Sequence, residues 1–253
     1  NIEDSGKNSP KLINGNTLLM RGNGASANGD LPFLRSFNIN TKESKEIRRC
    51  AEPYYETVSS ITDFDKMSFI TSKQSQNETP NYYQYTNDTV KQLTAFADPQ
   101  PALRGVTKQK ITYKRKDGVD LAADLYLPKG YDPTRDGKLP VIMWAYPREF
   151  KSSADAAQIR GSKHSFVRVG SGSMVFWVTQ GYAVMDNAEF PIVGEGDKQP
   201  NDNFIEQLVS NAEAGIDKIA EMGIGDRTRV AVGGHSYGAF MTTNLLAHCN
   251  LFK

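Results

Sequence analysis

Arg229-Val-Ala-Val-Gly-Gly-His-Ser-Tyr-Gly-Ala-Phe-Met-Thr-Thr-Asn-Leu-Leu-Ala247 joins a β-rich apolar run to a helix-forming run through Gly234-His235-Ser236-Tyr237-Gly238. A Gly-x-Ser-x-Gly turn set between a strand and a helix is the pattern of a nucleophile elbow. Crowding explains the residue types. The positions two before and two after the serine must lack bulk, because strand and helix backbones nearly touch there. The serine hydroxyl is then lifted to the top of the sheet, and the helix N-terminus beneath it favours negative charge. The five-residue pattern alone is loose, since a Gly/Ser turn also arises by coincidence; the strand before it and the helix after it make it informative.

An elbow of this type belongs to the α/β-hydrolase fold, whose triad follows the order Ser, Asp or Glu, His. The chain stops at Lys253, so the carboxylate and the histidine are expected downstream of it, and the stretch reads as a fragment. It would then need the remaining C-terminal part of the catalytic domain as a partner. The strand feeding the elbow would leave an unpaired apolar edge, which invites aggregation.

Upstream of the elbow the rhythm is that of an α/β sheet from about Lys110. Ile111–Lys114, a turn at Lys116-Asp-Gly118 and Val119–Leu127 read as a hairpin. Leu139–Ala145 reads as a buried strand, Ser173–Gln180 as a helix and Tyr182–Asn187 as another strand. Asn203–Met222 is a long amphipathic helix with Phe204, Leu208, Ala212, Ile216 and Ile219 at helical spacing, capped by Asp202 and ended by Gly223.

Residues 1–109 follow a different period, with short alternating strands at Thr17–Met20, Pro32–Ile39, Met67–Thr71 and Asn81–Tyr85 between polar turns. Phe33–Ile47 and Asn81–Leu93 share an aromatic strand, a polar turn (Asn-Ile-Asn-Thr or Thr-Asn-Asp-Thr) and a polar or charged strand. Their offset of roughly 46 residues suits a four-stranded propeller blade, with Tyr54-Tyr55 and Tyr82-Tyr83 packing between blades. A generic antiparallel sheet fits as well. The expected organisation is the last blades of a β-propeller over 1–109, then the first part of an α/β-hydrolase domain over 110–253.

Composition narrows the partners. Net charge is +1 with no Lys/Arg run, so nothing points to nucleic acid or an anionic membrane surface. The apolar stretches are too short to span a bilayer. Cys50 and Cys249, far apart, read as free thiols rather than a disulfide or metal pair. The acidic loop Gly194-Glu-Gly-Asp-Lys198 with Asp202 lacks the spacing of a calcium loop, so no metal and no cofactor are expected.

Ser236 would attack a carbonyl once a base takes its proton, and the oxyanion needs donors about 3 Å away. One is the amide of the next residue, Tyr237; the second should come from the loop Trp144–Phe150, where the Tyr146 phenol lies just past the strand. A tyrosine merely packed at a strand end is the alternative. His164, His235 and His248 are none of them suited as base: His164 precedes the serine, His235 diverges from it, and His248 lies about three helical turns beyond it.

The block Gly233–Met241 with its continuation to His248 resembles the prolyl oligopeptidase family of serine peptidases. Trp144-Ala-Tyr-Pro147, Lys151-Ser152 with Ala156–Gly161, Ile192–Asp197 and Asn203–Val209 make it similar to the glutamyl endopeptidase branch. Gly22-Asn-Gly24 and Pro32-Phe33 extend the resemblance into the N-terminal part. The resemblance implies a catalytic domain capped by a β-propeller that restricts access to peptides. It also implies Ser236 as nucleophile, with the Tyr146 phenol and the Tyr237 amide at the oxyanion. Bacterial relatives of this type are often secreted or periplasmic. Cleavage after Glu or Asp would need a cation in the first pocket. Arg148, Arg160 and Arg168 are the candidates, with Arg160 chosen because it lies in a matched block. An esterase or acylaminoacyl-peptidase, or a propeller-based binding protein with a decayed hydrolase domain, are the competing readings.

Overall fold

Two stretches of chain that follow different sequence periods form two separate units in the computed structural model, which describes residues 2–3, 8–9, 12–87 and 89–253. The first unit runs to Pro99 and takes in Arg160–Phe166; the second comprises Gln100–Ile159 and Val167–Lys253. The observed division thus falls between Pro99 and Gln100, and a short piece from the middle of the later sequence joins the first unit.

In the first unit, β1 (Ile2–Glu3) pairs with β2 (Asn8–Ser9). A three-stranded antiparallel sheet follows, made of β3 (Thr17–Gly22), β4 (Phe33–Asn38) and β5 (Ser44–Arg49). A four-stranded meander then runs β6 (Tyr55–Asp63), β7 (Ser68–Gln74), β8 (Asn81–Thr86) and β9 (Thr89–Gln92) in chain order. The two similar segments noted in the sequence are the hairpins β4–β5 and β8–β9, each closing its sheet; Asp88 of the second turn lies outside the described residues. Strand β6 escaped the alternation search because its register shifts twice, between Val58 and Ser60 and between Ile61 and Asp63. Each shift puts an extra residue on one strand and breaks the period of two.

The core of this unit is Leu34, Phe69 and Tyr85, with Leu19, Ile47, Val58, Ile61 and Tyr83 against it. The Phe69 and Tyr85 rings stack at 5.2 Å. Beside them lies buried Glu56, held by Arg48 at 2.5 Å, the Thr71 hydroxyl at 2.7 Å and the Tyr85 phenol at 2.9 Å. A buried carboxylate is tolerable only when paired in this way. The segment Arg160–Phe166 is fastened by backbone bonds to Asp30, by Gln76 to the Lys163 carbonyl, and by ion pairs of Lys163 and His164 with Glu52.

The second unit is a five-stranded mixed sheet in the order β10-β11-β13-β12-β14. Strands β10 (Thr107–Lys114) and β11 (Asp120–Leu127) form the expected hairpin, and the short helix α1 (Pro133–Asp136) follows. Strand β12 (Leu139–Phe150) leads to helix α2 (Ser153–Ala156), and a 3₁₀ helix over Met174–Gln180 precedes β13 (Ala183–Val193). Helix α3 (Phe204–Glu221), strand β14 (Gly225–Gly233) and helix α4 (Tyr237–His248) complete it. Strands β13, β12 and β14 are mutually parallel, and β11 joins β13 antiparallel.

Three local expectations need correction. Ser173–Gln180 is a 3₁₀ helix, not an α-helix: Ser173 Oγ accepts from the Val175 amide, left-handed Gly181 stops the run, and β-branched Val175, Val178 and Thr179 disfavour a longer one. Asp202 does not cap α3; it accepts from the Gln199 amide and caps the short 3₁₀ turn Pro200–Asn203, leaving Asn203 at the start of α3. The segment Trp144–Phe150 is strand rather than loop. Strand β14 leaves the ladder at Gly233, so from Ala145 onward β12 pairs only with β13, and Pro147 is accommodated on that free edge.

Helix α3 buries Leu208, Ala212, Ile216 and Ile219 against the sheet as its spacing predicts. It ends in a Schellman motif, with Gly223 at φ 73°, its amide bonded to the Ala220 carbonyl, and the Ile224 amide bonded to the Ile219 carbonyl. Arg115, after β10, donates to the Pro191 carbonyl, Gln207 and Asn211, lacing the hairpin to β13 and α3. On the outer edge of β14 the Lys253 amide donates to the Val230 carbonyl at 2.9 Å. Cys50 and Cys249 are free thiols, and burial pushes the Cys50 thiol up.

Candidate active site

At the end of β14 the chain turns through Ser236 with φ 54° and ψ −113°, a conformation L-residues rarely adopt. Such strain persists only where surrounding contacts enforce it. Here the two flanking glycines enforce it by letting three pieces of backbone meet. A Cβ on Gly234 would lie 2.4 Å from the Ala145 carbonyl oxygen and 2.6 Å from the Gly238 Cα. A Cβ on Gly238 would lie 2.5 Å from the same Ala145 oxygen. Any side chain at either position would therefore collide with backbone, which is why both are glycine.

Helix α4 begins at once, its first turn closed by Ala239 N–H to the Ser236 carbonyl at 2.8 Å. The amide of Tyr237 opens the helix, so no intrahelical carbonyl can satisfy it. Ser236 is exposed, and its hydroxyl has no hydrogen-bond partner among the described residues. A hydroxyl on a helix N-terminus, next to the amide of Tyr237, is arranged to favour developing negative charge.

Tyr146 stands on β12 directly after Ala145, with 47% of its surface exposed. Its ring meets the Tyr237 ring edge-on, centroids 6.1 Å apart. Tyr237 in turn stacks with Phe204 and Phe240, each at 5.9 Å. The Tyr237 phenol donates to Glu149 Oε1 at 3.2 Å, and the Asn201 amide donates to the same oxygen at 3.0 Å. Burial pushes the Tyr237 phenol up, and the Glu149 hydrogen bond and charge push it in the same direction, so it stays a donor.

The structure thus brings Ser236, Tyr237 and Tyr146 together at the ends of β12 and β14. It adds Glu149, Asn201, Phe204 and Phe240, which sequence reasoning did not place there. Phe204 had signalled only the apolar face of α3, and Glu149 looked like one residue of a loop. Arg160 is exposed and belongs to the segment of the first unit. His235 and His248 are exposed, and His164 is paired with Glu52 in the first unit. Glu195 accepts from the Ser153 amide and hydroxyl, and Asp202 caps a turn. Among the described residues no group of His, Cys, Asp or Glu is gathered as a metal would require. No helix among the described residues is long and apolar enough to cross a membrane.

A family model described as X-Pro dipeptidyl-peptidase (S15 family) matches residues 117–250, just over half of the chain and all of the elbow. The chain belongs to this S15 peptidase family. Two relatives named "Probable glutamyl endopeptidase, chloroplastic" are similar to this S15 member. The Arabidopsis thaliana protein is 44% identical over 92% of the chain, and the Oryza sativa subsp. japonica protein is 45% identical over 91%. The S15 member spans only 26% of the length of either relative. Among solved structures, the AtxE2 isopeptidase matches with TM-score 0.60 at 18% identity, covering 93% of this chain and 35% of that one. The Pyrococcus horikoshii acylaminoacyl peptidase matches with TM-score 0.58 at 18% identity, covering 97% and 36%. At such identity these neighbours speak for the fold, an α/β-hydrolase catalytic architecture. The family match and the two relatives agree in placing the chain among peptidase sequences.

Proposed function

We propose that the chain is part of a serine endopeptidase that cleaves peptides through an acyl-enzyme and prefers Glu or Asp before the scissile bond. The observation carrying this reading is the strained, exposed Ser236 between two glycines that seat it against the end of β12. In the proposed step Ser236 Oγ attacks the carbonyl carbon while a base takes its proton. The Tyr237 N–H and the Tyr146 phenol donate to the oxyanion. The C–N bond then breaks, the amine leaves with the proton, and water hydrolyses the acyl-enzyme by the reverse sequence. The triad carboxylate and histidine are assigned to a C-terminal part of the catalytic domain, following the order of this fold.

The names of the two curated relatives support the acidic preference. We read the first unit as the last blades of a β-propeller, which the four-stranded meander β6–β9 supports. The family description favours a second reading, removal of X-Pro dipeptides from N-termini.

Cleavage of a peptide library by the full-length protein, run beside Ser236→Ala, tests both. The expected result is cutting after Glu or Asp that falls at least about a thousandfold in the variant. Serine-dependent release of X-Pro dipeptides instead would select the second reading, and ester turnover without peptide cleavage would point to an esterase. Tyr146→Phe is expected to lower kcat by about tenfold to a thousandfold with little change in KM, measured on the best library peptide.

A further inference from the structure

An acidic side chain held beside Ser236 needs a cation that no other carboxylate has claimed. In the second unit the arginines are almost all committed. Arg104 donates to the Val167 carbonyl at 2.6 Å, and Arg115 to Asp117 at 2.6 Å. Arg135 pairs with Asp136, Arg227 with Asp217 and Arg229 with Asp226. Among the arginines of this unit, only the side chains of Arg148 and Arg168 make no ion pair or hydrogen bond with a described residue. Arg168 sits between Val167 and Val169, which pack with Ile142 and Val184. Those are early residues of β12 and β13, toward the strand ends opposite Ser236.

Arg148 is different. It is exposed and lies two residues beyond Tyr146 on β12. Side chains two apart on a strand share a face and are separated by about 6.6 Å. The intervening burial agrees, since Ala145 and Pro147 are buried while Tyr146 and Arg148 are exposed. Its neighbour Glu149 is engaged with Tyr237 and Asn201 and does not neutralise it. A carbonyl bound by Tyr146 would therefore have an unpaired arginine two residues along the same strand face. Free lysines offer no matching fork for a carboxylate.

We propose that Arg148 is the specificity-determining residue that receives the acidic side chain before the scissile bond. The inference rests on the peptidase reading above and replaces Arg160 as the cation of that pocket.

The test uses the full-length protein and two peptides that differ only in Glu or Gln before the cleaved bond. Wild type is expected to favour Glu in kcat/KM. Arg148→Gln should lower cleavage of the Glu peptide by about tenfold to a hundredfold and leave the Gln peptide unchanged, which also reports that the variant is folded. Arg148→Lys should recover part of the loss, and Arg160→Ala should change neither peptide. A Glu preference that survives in Arg148→Gln overturns the assignment alone, as does its loss in Arg160→Ala. Equal cutting of both peptides by wild type removes the acidic preference itself, and no Ser236-dependent cutting removes the peptidase reading; either outcome overturns the assignment with it.

Discussion

The first unit has Leu34, Phe69 and Tyr85 as the buried members of its core, whereas the second unit's core draws on every strand of its sheet, from Ile111 to Val230. Each unit also buries a charge: the Glu56 side chain is 5% exposed and the Arg115 side chain 3%. Their surroundings differ. Glu56 sits in the small core itself, where the Tyr85 ring is an apolar wall and its phenol a hydrogen-bond donor. Arg115 lies at the margin of a large core and laces a hairpin to a helix. A buried ion therefore carries more of the fold where little apolar surface supports it, even though the same desolvation rule applies to both.

The contrast can be broken by removing each charge in turn. The two tryptophans, Trp144 and Trp177, lie in the second unit and report it by fluorescence; Met20 and Met67 lie in the first and report it by methyl NMR. Glu56→Ala leaves Arg48 without its carboxylate and should cost about 3–5 kcal/mol, seen in the methionine signals while tryptophan fluorescence stays native. Loss of both signals together would show that the two cores do not respond separately. On the other side, Gly234→Ala forces a methyl against the Ala145 oxygen and should cost about 3 kcal/mol in the tryptophan signal alone. Arg115→Met keeps volume but strips hydrogen bonds from Gln207 and Asn211, and should cost about 2 kcal/mol there. A larger loss from Arg115→Met than from Glu56→Ala would reverse the comparison.

The same difference governed what the sequence disclosed. In the second unit, burial on one face of α3 wrote a helical period and the buried parallel strands wrote apolar runs, so α3, the hairpin and the elbow were legible. The end of β12 was not, because the pairing of Ala145–Phe150 with Ala188–Val193 is non-local. Ser236, Tyr237 and Tyr146 could be named as candidates from motif chemistry. Glu149 could not be tied to them, since its contact with Tyr237 joins residues far apart in sequence. Arg148 was one of three arginines until its place on β12, two residues beyond Tyr146, set it apart. In the first unit β6 was lost to its two register shifts, and nothing local ties Glu56 to Tyr85, which lies on β8.

The smallest effect concerns the Tyr85 phenol. Burial and the Glu56 charge push its pKa from about 10 up to about 12. A raised value means that the folded state favours the neutral phenol. Its contribution is intact below pH 10, where both folded and unfolded phenols are protonated, and is lost as pH rises through about 12. Above that range a phenolate would face Glu56, two negative charges with one Arg48 between them. The urea midpoint of the methionine signals should therefore fall between pH 10 and pH 12 in the native chain. In Tyr85→Phe, which gives up two hydrogen bonds, one donated to Glu56 and one accepted from Arg48, each worth about 1 kcal/mol at neutral pH, the fall should be shallower. Equal slopes would mean that Tyr85 does not titrate with folding, and that the Glu56 cluster tolerates charge better than a small core should. In the second unit burial also raises Tyr113 and Tyr126, but neither phenol is hydrogen-bonded to a carboxylate. Their titration lowers the tryptophan midpoint at alkaline pH as well, but Tyr85→Phe should leave that fall unchanged, which ties the difference between native chain and variant to the polar core of the first unit.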